Sequence, residues 1–395
     1  MRKGWEYKKL GEVTSFFRGL TYSGKDEVDY SNNVVLRSNN IDLSTNSLNF
    51  DELKFISDSI TIPQDKKLRK NSIFMCMSNG SKQHLGKVAF IEKEYPYAFG
   101  GFMGLIVPNE DRLVPKFTYY YFCSQKFKAY LSAIGNGANI NNIKYIDIAK
   151  DSIPLPSKST QLAIVSELDK INELIRLKKE QLKDFDNLAQ SLFYEMFGDP
   201  VENEKGWEVK TFGEIGSVER GAGISKKDFV KEGLPCIHYG QLHTILGPRT
   251  TKHFTSIPHN LLPKYKIAHT GDLVMAITSE DVEGSCKSTV WLGDYDIIVG
   301  SDAAIFHHKQ DGTFLSYYTM TKAFFNEKAK YAKGFKVTHI SAKEIEKIPV
   351  YLPPLPLQRL FAQRIEQIER EKSEVQKSIQ DLETLLASRM QYWFE

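Results

Sequence analysis

The sequence has few cysteines and no long apolar run. Its 395 residues include four cysteines, Cys76, Cys123, Cys236 and Cys286, and these lie far apart. Zinc ribbons, CxxC redox motifs and disulfide frameworks need closely spaced or paired cysteines, so none of them is supported. No apolar run reaches the roughly 18 residues of a membrane span, and the first residues do not lead into a signal-peptide core. We therefore expect a cytoplasmic protein that does not bind membranes.

Motifs for catalysis are also missing. There is no GxxxxGK[ST] phosphate loop, no nucleophile elbow and no Asn/Asp-Pro-Pro-aromatic box of amino-methyltransferases. Gly221-Ala222-Gly223 and Gly135-Asn136-Gly137 begin a GxG pattern but lack the third glycine, so both indicate turns. Eight of the nine histidines follow residue 198, but their spacings fit no standard zinc site. The sequence predicts a binding protein with no catalytic residue, metal or cofactor of its own.

The composition indicates a folded protein of two to three domains. Hydrophobic residues make up 41% of the chain, aromatic residues 12% and charged residues 26%. Residues 1–150 hold 21 Lys and Arg against 15 Asp and Glu, whereas residues 199–352 hold 19 of each kind. The basic excess of the first part is compatible with nucleic acid, because attraction to phosphates supplies most non-specific affinity.

The chain contains an internal repeat. Residues 4–26 read GWEYKKLGEVTSFFRGLTYSGKD, and residues 206–228 read GWEVKTFGEIGSVERGAGISKKD. Twelve of these 23 positions match without a gap, at an offset of 202 residues. The ends of the two halves match at an offset of 197, where IPLPSKSTQLAIV (153–165) corresponds to VYLPPLPLQRLFA (350–362). The order is therefore domain, helix, domain, helix.

A heptad pattern runs through both helical segments, each about 37 residues and roughly 55 Å long. The first seam contains Leu168, Ile171, Ile175, Leu182, Phe185, Ala189, Leu192 and Met196. The second contains Phe361, Ile365, Ile368, Val375, Ile379, Leu382, Leu386 and Trp393. Sustained heptads favour a coiled coil, so we expect the two helices to pair antiparallel. The alternative is that each helix packs only on its own domain.

The globular halves are expected to be mixed α/β. Short strands are predicted at 33–36, 72–77, 87–91, 272–277 and 296–299, with one aromatic helix in each half, at 116–134 and 313–332. The aromatic residues Tyr119, Tyr120, Tyr121 and Phe122, with Tyr317 and Tyr318, are predicted to be core; base stacking is the alternative reading.

Together these residues resemble the DNA-specificity subunit of type I restriction–modification systems. The resemblance rests on the Trp-Glu-x-x-x-Leu/Phe-Gly-Glu domain starts, SNGSKQHLGKVAFI (78–91), GANINNIKYIDI (137–148), GFKVTHISAKEIEKIPV (334–350), the Leu-Pro-x-x-x-x-Gln helix entries and SLFYEMFGD (191–199). It covers essentially the whole chain, and the two-copy arrangement makes it specific.

The resemblance implies two target-recognition domains, 1–157 and 199–354, and two helical spacers, 158–198 and 355–395. Each domain would read one half of a split, asymmetric site in double-stranded DNA. The antiparallel coiled-coil helices would set the spacing, give the chain pseudo-two-fold symmetry and dock two methyltransferase subunits, which restriction/translocase subunits then join. S-adenosylmethionine, ATP and Mg²⁺ would belong to those partners.

Candidate DNA-binding residues follow from residue type, because Arg and Lys pair with guanine and Asn and Gln pair with adenine. In the first domain the base-reading candidates are Arg37, Asn39, Asn40, Ser78, Asn79, Ser81, Lys82, Gln83, His84, Asn139, Asn141 and Asn142. The phosphate candidates are Lys66, Lys67, Arg69, Lys70 and Lys87. In the second domain the candidates are Arg220, His238, Tyr239, Gln241, Thr278, Ser279, Lys336, Thr338 and His339.

Two other functions stay open at this point. One is a stand-alone enzyme that modifies nucleic acid, and the other is an assembly scaffold whose repeated domains bind polypeptide. Glu280 and Asp281 stand where the first domain has Gly-Ser-Lys, and acidic side chains repel phosphate, so this loop departs from its counterpart.

Overall fold

The computed structural model describes residues 4–135, 142–224, 226–259, 265–334 and 337–395, with only the backbone of Lys82. The chain divides into two compact units. The first unit comprises Met1–Lys179 and Lys377–Glu395, and the second comprises Glu180–Gln376. No helix of the described residues is long and apolar enough to cross a membrane.

The first unit begins with a mixed α/β domain, which α5 follows. Its strands are β1 (Glu6–Lys9), β2 (Thr14–Arg18), β3 (Glu27–Val28), β4 (Asn33–Leu36), β5 (Ile41–Asp42), β6 (Ser47–Leu48), β7 (Lys54–Ile56), β8 (Ser72–Cys76), β9 (Val88–Ile91), β10 (Ala98–Phe99), β11 (Met103–Pro108) and β12 (Ser152–Leu155). The helices are α1 (Leu10–Val13), α2 (Pro115–Cys123), α3 (Gln125–Gly135), α4 (Tyr145–Lys150) and α5 (Lys158–Phe197).

The second unit contains a domain of the same kind, which α11 follows. Its strands are β13 (Glu208–Thr211), β14 (Gly216–Arg220), β15 (Leu234–Ile237), β16 (Arg249–Thr250), β17 (Thr255–Ile257), β18 (Lys266–Ala268), β19 (Leu273–Ala276), β20 (Thr278–Ser279), β21 (Ser288–Trp291), β22 (Ile297–Val299), β23 (Ala303–His308), β24 (Thr338–His339) and β25 (Pro349–Leu352). The helices are α6 (Phe212–Ile215), α7 (Tyr239–Thr244), α8 (Gly312–Tyr318), α9 (Lys322–Ala329), α10 (Ala342–Ile345) and α11 (Leu355–Phe394).

One sheet has the same strand order in both units. One antiparallel sheet runs β2-β11-β8-β9 in the first unit and β14-β23-β19-β21 in the second, where β16 is added at the edge. Every residue of β8 and of β19 is buried, because the sheet is covered on both faces. A second sheet lies beside each, in the orders β10-β4-β7-β3 and β17-β15-β22-β18.

The repeated motifs at the two ends of each domain pair with each other. Strand β1, which follows Trp5, is antiparallel to β12, with Glu6 opposite Leu155. Strand β13 is antiparallel to β25 in the same way, with Glu208 opposite Leu352. In each domain, the strand at the Trp-Glu start therefore pairs with the Leu-Pro segment that immediately precedes the long helix.

A buried glutamine attaches each long helix to its domain. In the first unit, the Oε1 of Gln161 accepts from the Val114 amide at 2.8 Å, and its Nε2 donates to the carbonyls of Arg112 and Pro156 at 3.0 and 2.9 Å. Gln358 accepts from the Asp311 amide at 3.0 Å and donates to the Pro353 carbonyl at 2.8 Å. This is the structural role of the glutamine in the Leu-Pro-x-x-x-x-Gln motif.

Parts of both long helices pack together within each unit. In the first unit, Trp393 Nε1 donates to Glu167 Oε2 at 2.9 Å, and Lys179 lies 2.9 Å from Glu383. In the second, Lys372 lies 2.7 Å from Asp186. Every predicted apolar seam residue is buried or half-buried. The pairs in the first unit run in opposite chain directions, so the predicted antiparallel pairing is confirmed within that unit, and packing of each helix only on its own domain is excluded there.

The last aromatic residue of each helix packs into a domain core. The ring of Phe394 lies 5.2 Å from that of Phe117 and 6.0 Å from that of Tyr121. The ring of Phe197 lies 4.9 Å from that of Phe314 and 5.3 Å from that of Phe361. Each domain therefore contacts the end of one long helix and the start of the other.

Of the aromatic residues predicted to be core, Tyr120, Tyr121, Phe122, Tyr317 and Tyr318 are buried and Tyr119 packs partly buried against them, but the helices that carry them differ from the prediction. Tyr121 and Tyr318 are at most 1% exposed. The single helices predicted at 116–134 and 313–332 are each broken into two. The break comes at Ser124 and Thr321, whose side-chain oxygens accept from the amides of Phe127 and Phe324 at 3.3 Å. Ser and Thr favour such N-cap positions, and each starts a new helix here.

We predict that Gln161→Leu and Gln358→Leu each lower the free energy of unfolding by about 2–4 kcal/mol, because each leaves buried backbone groups without partners. Urea unfolding followed by tryptophan fluorescence measures this. Gln363→Leu, at an exposed position of α11, is the control and is expected to change the value by less than about 0.5 kcal/mol. If Gln161→Leu and Gln358→Leu both unfolded at the same urea concentration as the wild type, the glutamines would not be attaching the helices to their domains.

Candidate nucleic-acid interface

Three predicted loops of the first unit meet at one edge of its sheets. Asn79 Nδ2 donates to Ser38 Oγ at 3.0 Å, which joins the turn after β4 to the loop after β8. Ser78 forms an isolated antiparallel bridge with Asn142. We call residues 37–40, 78–84 and 142 the first loop cluster. The structure therefore brings together candidates that are up to about a hundred positions apart in the sequence.

Several candidates in this cluster are open to solvent. Ser81, Gln83 and Asn142 are exposed, and Arg37, Asn39, Ser78, Asn79 and His84 are half-buried. Among the described residues, the Nε of Arg37 and the Nδ1 of His84 are buried and lack a hydrogen-bond partner. Asn139, Asn141 and the Lys82 side chain lie outside the described part of the chain. The fold thus leaves one buried donor of Arg37 without a hydrogen bond among the described residues.

Two first-domain candidates are buried. Asn40 is 0% exposed; its Oδ1 accepts from the Arg37 amide at 2.8 Å, and its Nδ2 donates to the carbonyls of Asn49 and Glu52 at 3.2 and 2.9 Å. Lys87 is 8% exposed and donates to the Ile41 carbonyl at 2.9 Å, while burial lowers the pKa of its amine. Both side chains form hydrogen bonds inside the domain, and these bonds hold the loops.

The phosphate candidates Lys66 and Arg69 lie close to β2. Lys66 Nζ donates to the Arg18 carbonyl at 2.9 Å and lies 3.2 Å from Asp65. The Arg69 guanidinium stands 4.2 Å from the centre of the Phe17 ring, a cation–π contact. Both keep part of their surface in solvent, as does Lys67, and Lys70 is exposed. These contacts orient the side chains without burying their charge.

The second unit builds a matching cluster. Strand β20 pairs with β24, with Thr278 opposite His339 and Ser279 opposite Thr338. Thr278 Oγ1 lies 3.3 Å from His339 Nδ1. We call residues 238–241, 278–281 and 338–339 the second loop cluster. Lys336 lies outside the described residues.

Three second-domain candidates, Gln241, Ser279 and Thr338, are buried. Gln241 is 4% exposed, and its Oε1 accepts from the His238 amide at 3.1 Å. Ser279 and Thr338 are 8% and 6% exposed and face each other in the β20–β24 pair. The exposed or half-buried candidates are Arg220, His238, Tyr239, Thr278 and His339.

A cleft of about 170 Å³ lies beside His238 and Tyr239, with Lys226, Phe229 and Asp302 among its lining residues. The His238 ring centre lies 4.8 Å from that of Phe229, and burial followed by the charge of Lys226 lowers the pKa of the imidazole. His238 is therefore neutral at pH 7 and offers one donor and one acceptor. Asp302 lies 3.9 Å from Arg220, whose Nε donates to the Ser301 carbonyl at 2.9 Å.

The two clusters share one backbone frame and differ in their exposed side chains. The backbone amide of Arg37 donates to the side-chain oxygen of Asn40, and the backbone amide of His238 donates to the side-chain oxygen of Gln241. The Ile143 amide donates to the Met77 carbonyl at 2.7 Å, and the Ile340 amide donates to the Ile277 carbonyl at 3.0 Å. Arg37 thus corresponds to His238, Ser78 to Thr278, and Asn142 to His339. Glu280 and Asp281 are exposed, so the acidic character of that loop persists at the surface.

Two exposed residues near the first loop cluster, Phe102 and Arg18, are not among the DNA-binding candidates that the sequence predicts. Phe102 is 72% exposed, and its carbonyl accepts from the amides of Met77 and Ser78 at 2.9 and 3.0 Å. Arg18 is exposed at the end of β2. The repeat that matches Arg18 with Arg220 could have found the arginine. An aromatic residue directly after Gly100-Gly101, where a turn is expected, could have found Phe102.

Comparison with known families gives two matches along the chain. The family model described as type I restriction modification DNA specificity domain matches residues 2–184 and again residues 204–384. Together these ranges cover most of the chain.

Curated relatives carry specificity-subunit names. The chain is 28% identical over 184 residues to the type I restriction enzyme StySPI specificity subunit of Salmonella potsdam, which is 46% of this chain and 39% of that relative. It is 25% identical over 205 residues to the EcoKI specificity subunit of Escherichia coli K12, covering 51% of this chain and 43% of the relative. The matches thus span less than half the length of these two relatives. The putative MjaX specificity subunit of Methanocaldococcus jannaschii is 23% identical, covering 97% of this chain and 92% of the relative.

Solved structures share the fold. A chain from a type I R-M system, studied for complex assembly and conformational transition, matches with a TM-score of 0.61 at 19% identity, covering 99% of this chain and 97% of that one. The type I S subunit of M. genitalium matches with a TM-score of 0.52 at 14% identity, covering 100% and 98%. These likenesses confirm the predicted mixed α/β fold with its long helices.

We predict that Asn40→Ala lowers the free energy of unfolding by about 2–3 kcal/mol, because three backbone groups lose their partner. Asn39→Ala is the matched control; its Nδ2 bonds to Glu52 at 2.7 Å at the surface, so a change below about 0.5 kcal/mol is expected. Urea unfolding measures both. If Asn40→Ala and Asn39→Ala lowered the free energy of unfolding equally, Asn40 would not support the loop more than Asn39 does.

Proposed function

The chain belongs to the family of type I restriction modification DNA specificity domains, and on that premise we propose that it is the DNA-recognition subunit of a type I restriction–modification complex. Each globular domain, 1–157 and 199–354, reads one half of a bipartite site in double-stranded DNA. The observation that carries the proposal is the pair of loop clusters, which share one frame but present different side chains. Such a pair suits two different half-sites.

The chemistry of the exposed side chains supports base reading. Arg37 and Asn79 in the first cluster are the residue types that pair with guanine and adenine in the major groove. His238 and Tyr239 at the matching place in the second cluster have other donor and acceptor patterns. Because the clusters differ, the two half-sites are proposed to differ in sequence, which makes the whole site asymmetric.

The helical segments 158–198 and 355–395 are proposed to set the spacing and to dock two methyltransferase subunits, with restriction/translocase subunits joining that core. Exposed leucines on the helices support a docking role: Leu174, Leu177, Leu188 and Leu385 are each 45–50% exposed. Apolar side chains outside the seam gain by being covered in an assembly.

We propose that the chain itself is not an enzyme and needs no cofactor. S-adenosylmethionine, ATP and Mg²⁺ then belong to the partner subunits, and the complex acts in the cytoplasm, where the DNA lies. The two other functions remain testable outcomes. Methyl transfer by the purified chain alone would favour a stand-alone enzyme, and a lack of salt-dependent DNA affinity with partners present would favour a protein scaffold.

The central experiment is a gel shift with the full chain and its methyltransferase partner. Random duplexes are selected for binding, and the selected sequence is then varied. One bipartite sequence should bind tightly, and lengthening or shortening its spacer by one base pair should abolish tight binding. Equal affinity for all duplexes would refute the proposal.

We predict that substitutions in one cluster alter base preference in only one half-site. Arg37→Ala and Asn79→Ala should relax preference in one half, and Tyr239→Ala should relax it in the other, each by about 1–3 kcal/mol at the base contacted. Selection of binding sites with each variant complex measures this. A variant of one cluster that changes both half-sites equally would contradict one reader per half-site.

Lys67→Ala is predicted to weaken binding to all duplexes by a similar factor. A lysine that contacts phosphate releases about one counterion, so the slope of log affinity against log salt should fall in magnitude by about 0.9. Affinities between 50 and 200 mM salt measure the slope. Lys343→Ala, on α10 of the second unit, serves as the control lysine, and an unchanged slope for Lys67→Ala would remove it from the phosphate contacts.

A further inference from the structure

Phe102 occupies an unusual place for a large apolar side chain. It is 72% exposed, whereas its neighbour Met103 is 1% exposed. It lies on the turn between β10 and β11, and its carbonyl accepts from the first two amides beyond β8. The Phe102 backbone therefore lies beside Met77 and Ser78, at the first loop cluster, and its ring is open to solvent there. Single exposed apolar residues are common on protein surfaces, so its meaning depends on what surrounds it.

The turn that carries Phe102 is fixed. The Met103 amide donates to the Gly100 carbonyl at 2.8 Å, and the Gly100 amide donates to the Leu36 carbonyl at 2.9 Å. A Cβ on Gly19 would lie only 2.0 Å from the Gly100 carbonyl oxygen, so the two backbone segments are in direct contact. A rigid support means that little conformational entropy is lost when the ring is covered by a ligand.

The surroundings of the turn are basic and polar. Arg18 is exposed next to Gly19, and a Cβ on Gly100 would lie 3.8 Å from Cγ of Arg37. The Nε of Arg37 is buried without a partner among the described residues. Basic groups around one apolar ring match the surface of duplex DNA, where phosphates flank base edges that carry the thymine methyl group.

The matching position in the second unit is built differently. The Ile277 amide donates to the Asp302 carbonyl at 3.0 Å, as the Met77 amide does to Phe102, so Asp302 corresponds to Phe102. The Asp302 carboxylate lies 3.9 Å from Arg220 and accepts from Thr278 Oγ1 at 3.5 Å. This carboxylate is engaged within its own unit, and it offers no apolar surface.

We propose that Phe102 reads a thymine, by packing its ring against the C5-methyl group of that base in the major groove of the first domain's half-site. Apolar side chains contact thymine methyls in this way, and no other base of DNA carries a methyl group there. Asp302 makes the second domain indifferent to that methyl group. This inference rests on the proposed function and adds to it one specificity-determining residue that acts without a hydrogen bond.

The test uses the full chain with its methyltransferase partner and the bipartite duplex found by selection. Each thymine of the duplex is replaced in turn by deoxyuridine, which removes only the methyl group. For the wild type, one position in the first domain's half-site should lose about fourfold in affinity, the equivalent of one buried methyl group. For Phe102→Ala, thymine and uracil should bind equally at that position, and the other positions should stay as in the wild type.

Tyr30→Ala is the matched control, because Tyr30 is 80% exposed in the same unit but lies outside the first loop cluster. It should keep the wild-type response to uracil. Phe102→Asp, which copies the second domain, should likewise bind thymine and uracil equally at that position, with a lower overall affinity because its carboxylate repels phosphate. Thermal unfolding of each variant with and without partner verifies that the subunit is folded and assembled.

Each other outcome has a distinct meaning. If the wild type selects no sequence at all, the proposed function fails. If it selects a site but Phe102→Ala keeps the wild-type response to uracil, the inference about Phe102 is overturned. A loss that is equal for every duplex indicates a ring wedged between base pairs or against the backbone, and also overturns it. Loss of methyltransferase binding with unchanged base preference would assign Phe102 to a protein contact instead.

Discussion

The architecture depends on one buried amide side chain at the start of each long helix. Gln161 and Gln358 satisfy backbone groups of the domain that precedes each helix, and both are 0% exposed. An unsatisfied buried backbone group costs about 1–3 kcal/mol, so these bonds fix the point at which each helix leaves its domain. Without that fixed exit, the loop clusters would have no defined direction relative to their own helix.

Much of this could be predicted from the sequence. The repeat, the heptad seams and strands such as β4 follow from periodicity and residue type, and these signals are strong because burial imposes them on many residues at once. The breaks at Ser124 and Thr321 were also available from the sequence, since both residues are good helix caps. They were missed because the aromatic pattern continues across them.

The candidate site could be predicted only in part. Of two adjacent asparagines, Asn40 is fully buried and bonds to backbone groups, whereas Asn39 is half-buried and bonds to the Glu52 side chain, and no local pattern distinguishes the two. Lys87 and Gln241 show the same difficulty: a polar side chain in a loop suggests a ligand contact, whereas here each side chain bonds to the backbone of its own domain. Phe102 was missed because an aromatic residue beside a buried strand suggests core.

The capping of Arg37 and His238 by the buried amides of Asn40 and Gln241 has an evolutionary consequence. The shape of each turn is maintained by a residue three positions later, so the hydrogen bond that fixes the turn does not involve the side chain at the first position. Under the proposed function, a lineage can replace that side chain, and with it the preferred target, while the buried amide maintains the turn. Diversification of this kind proceeds by single codon changes and does not require new folds.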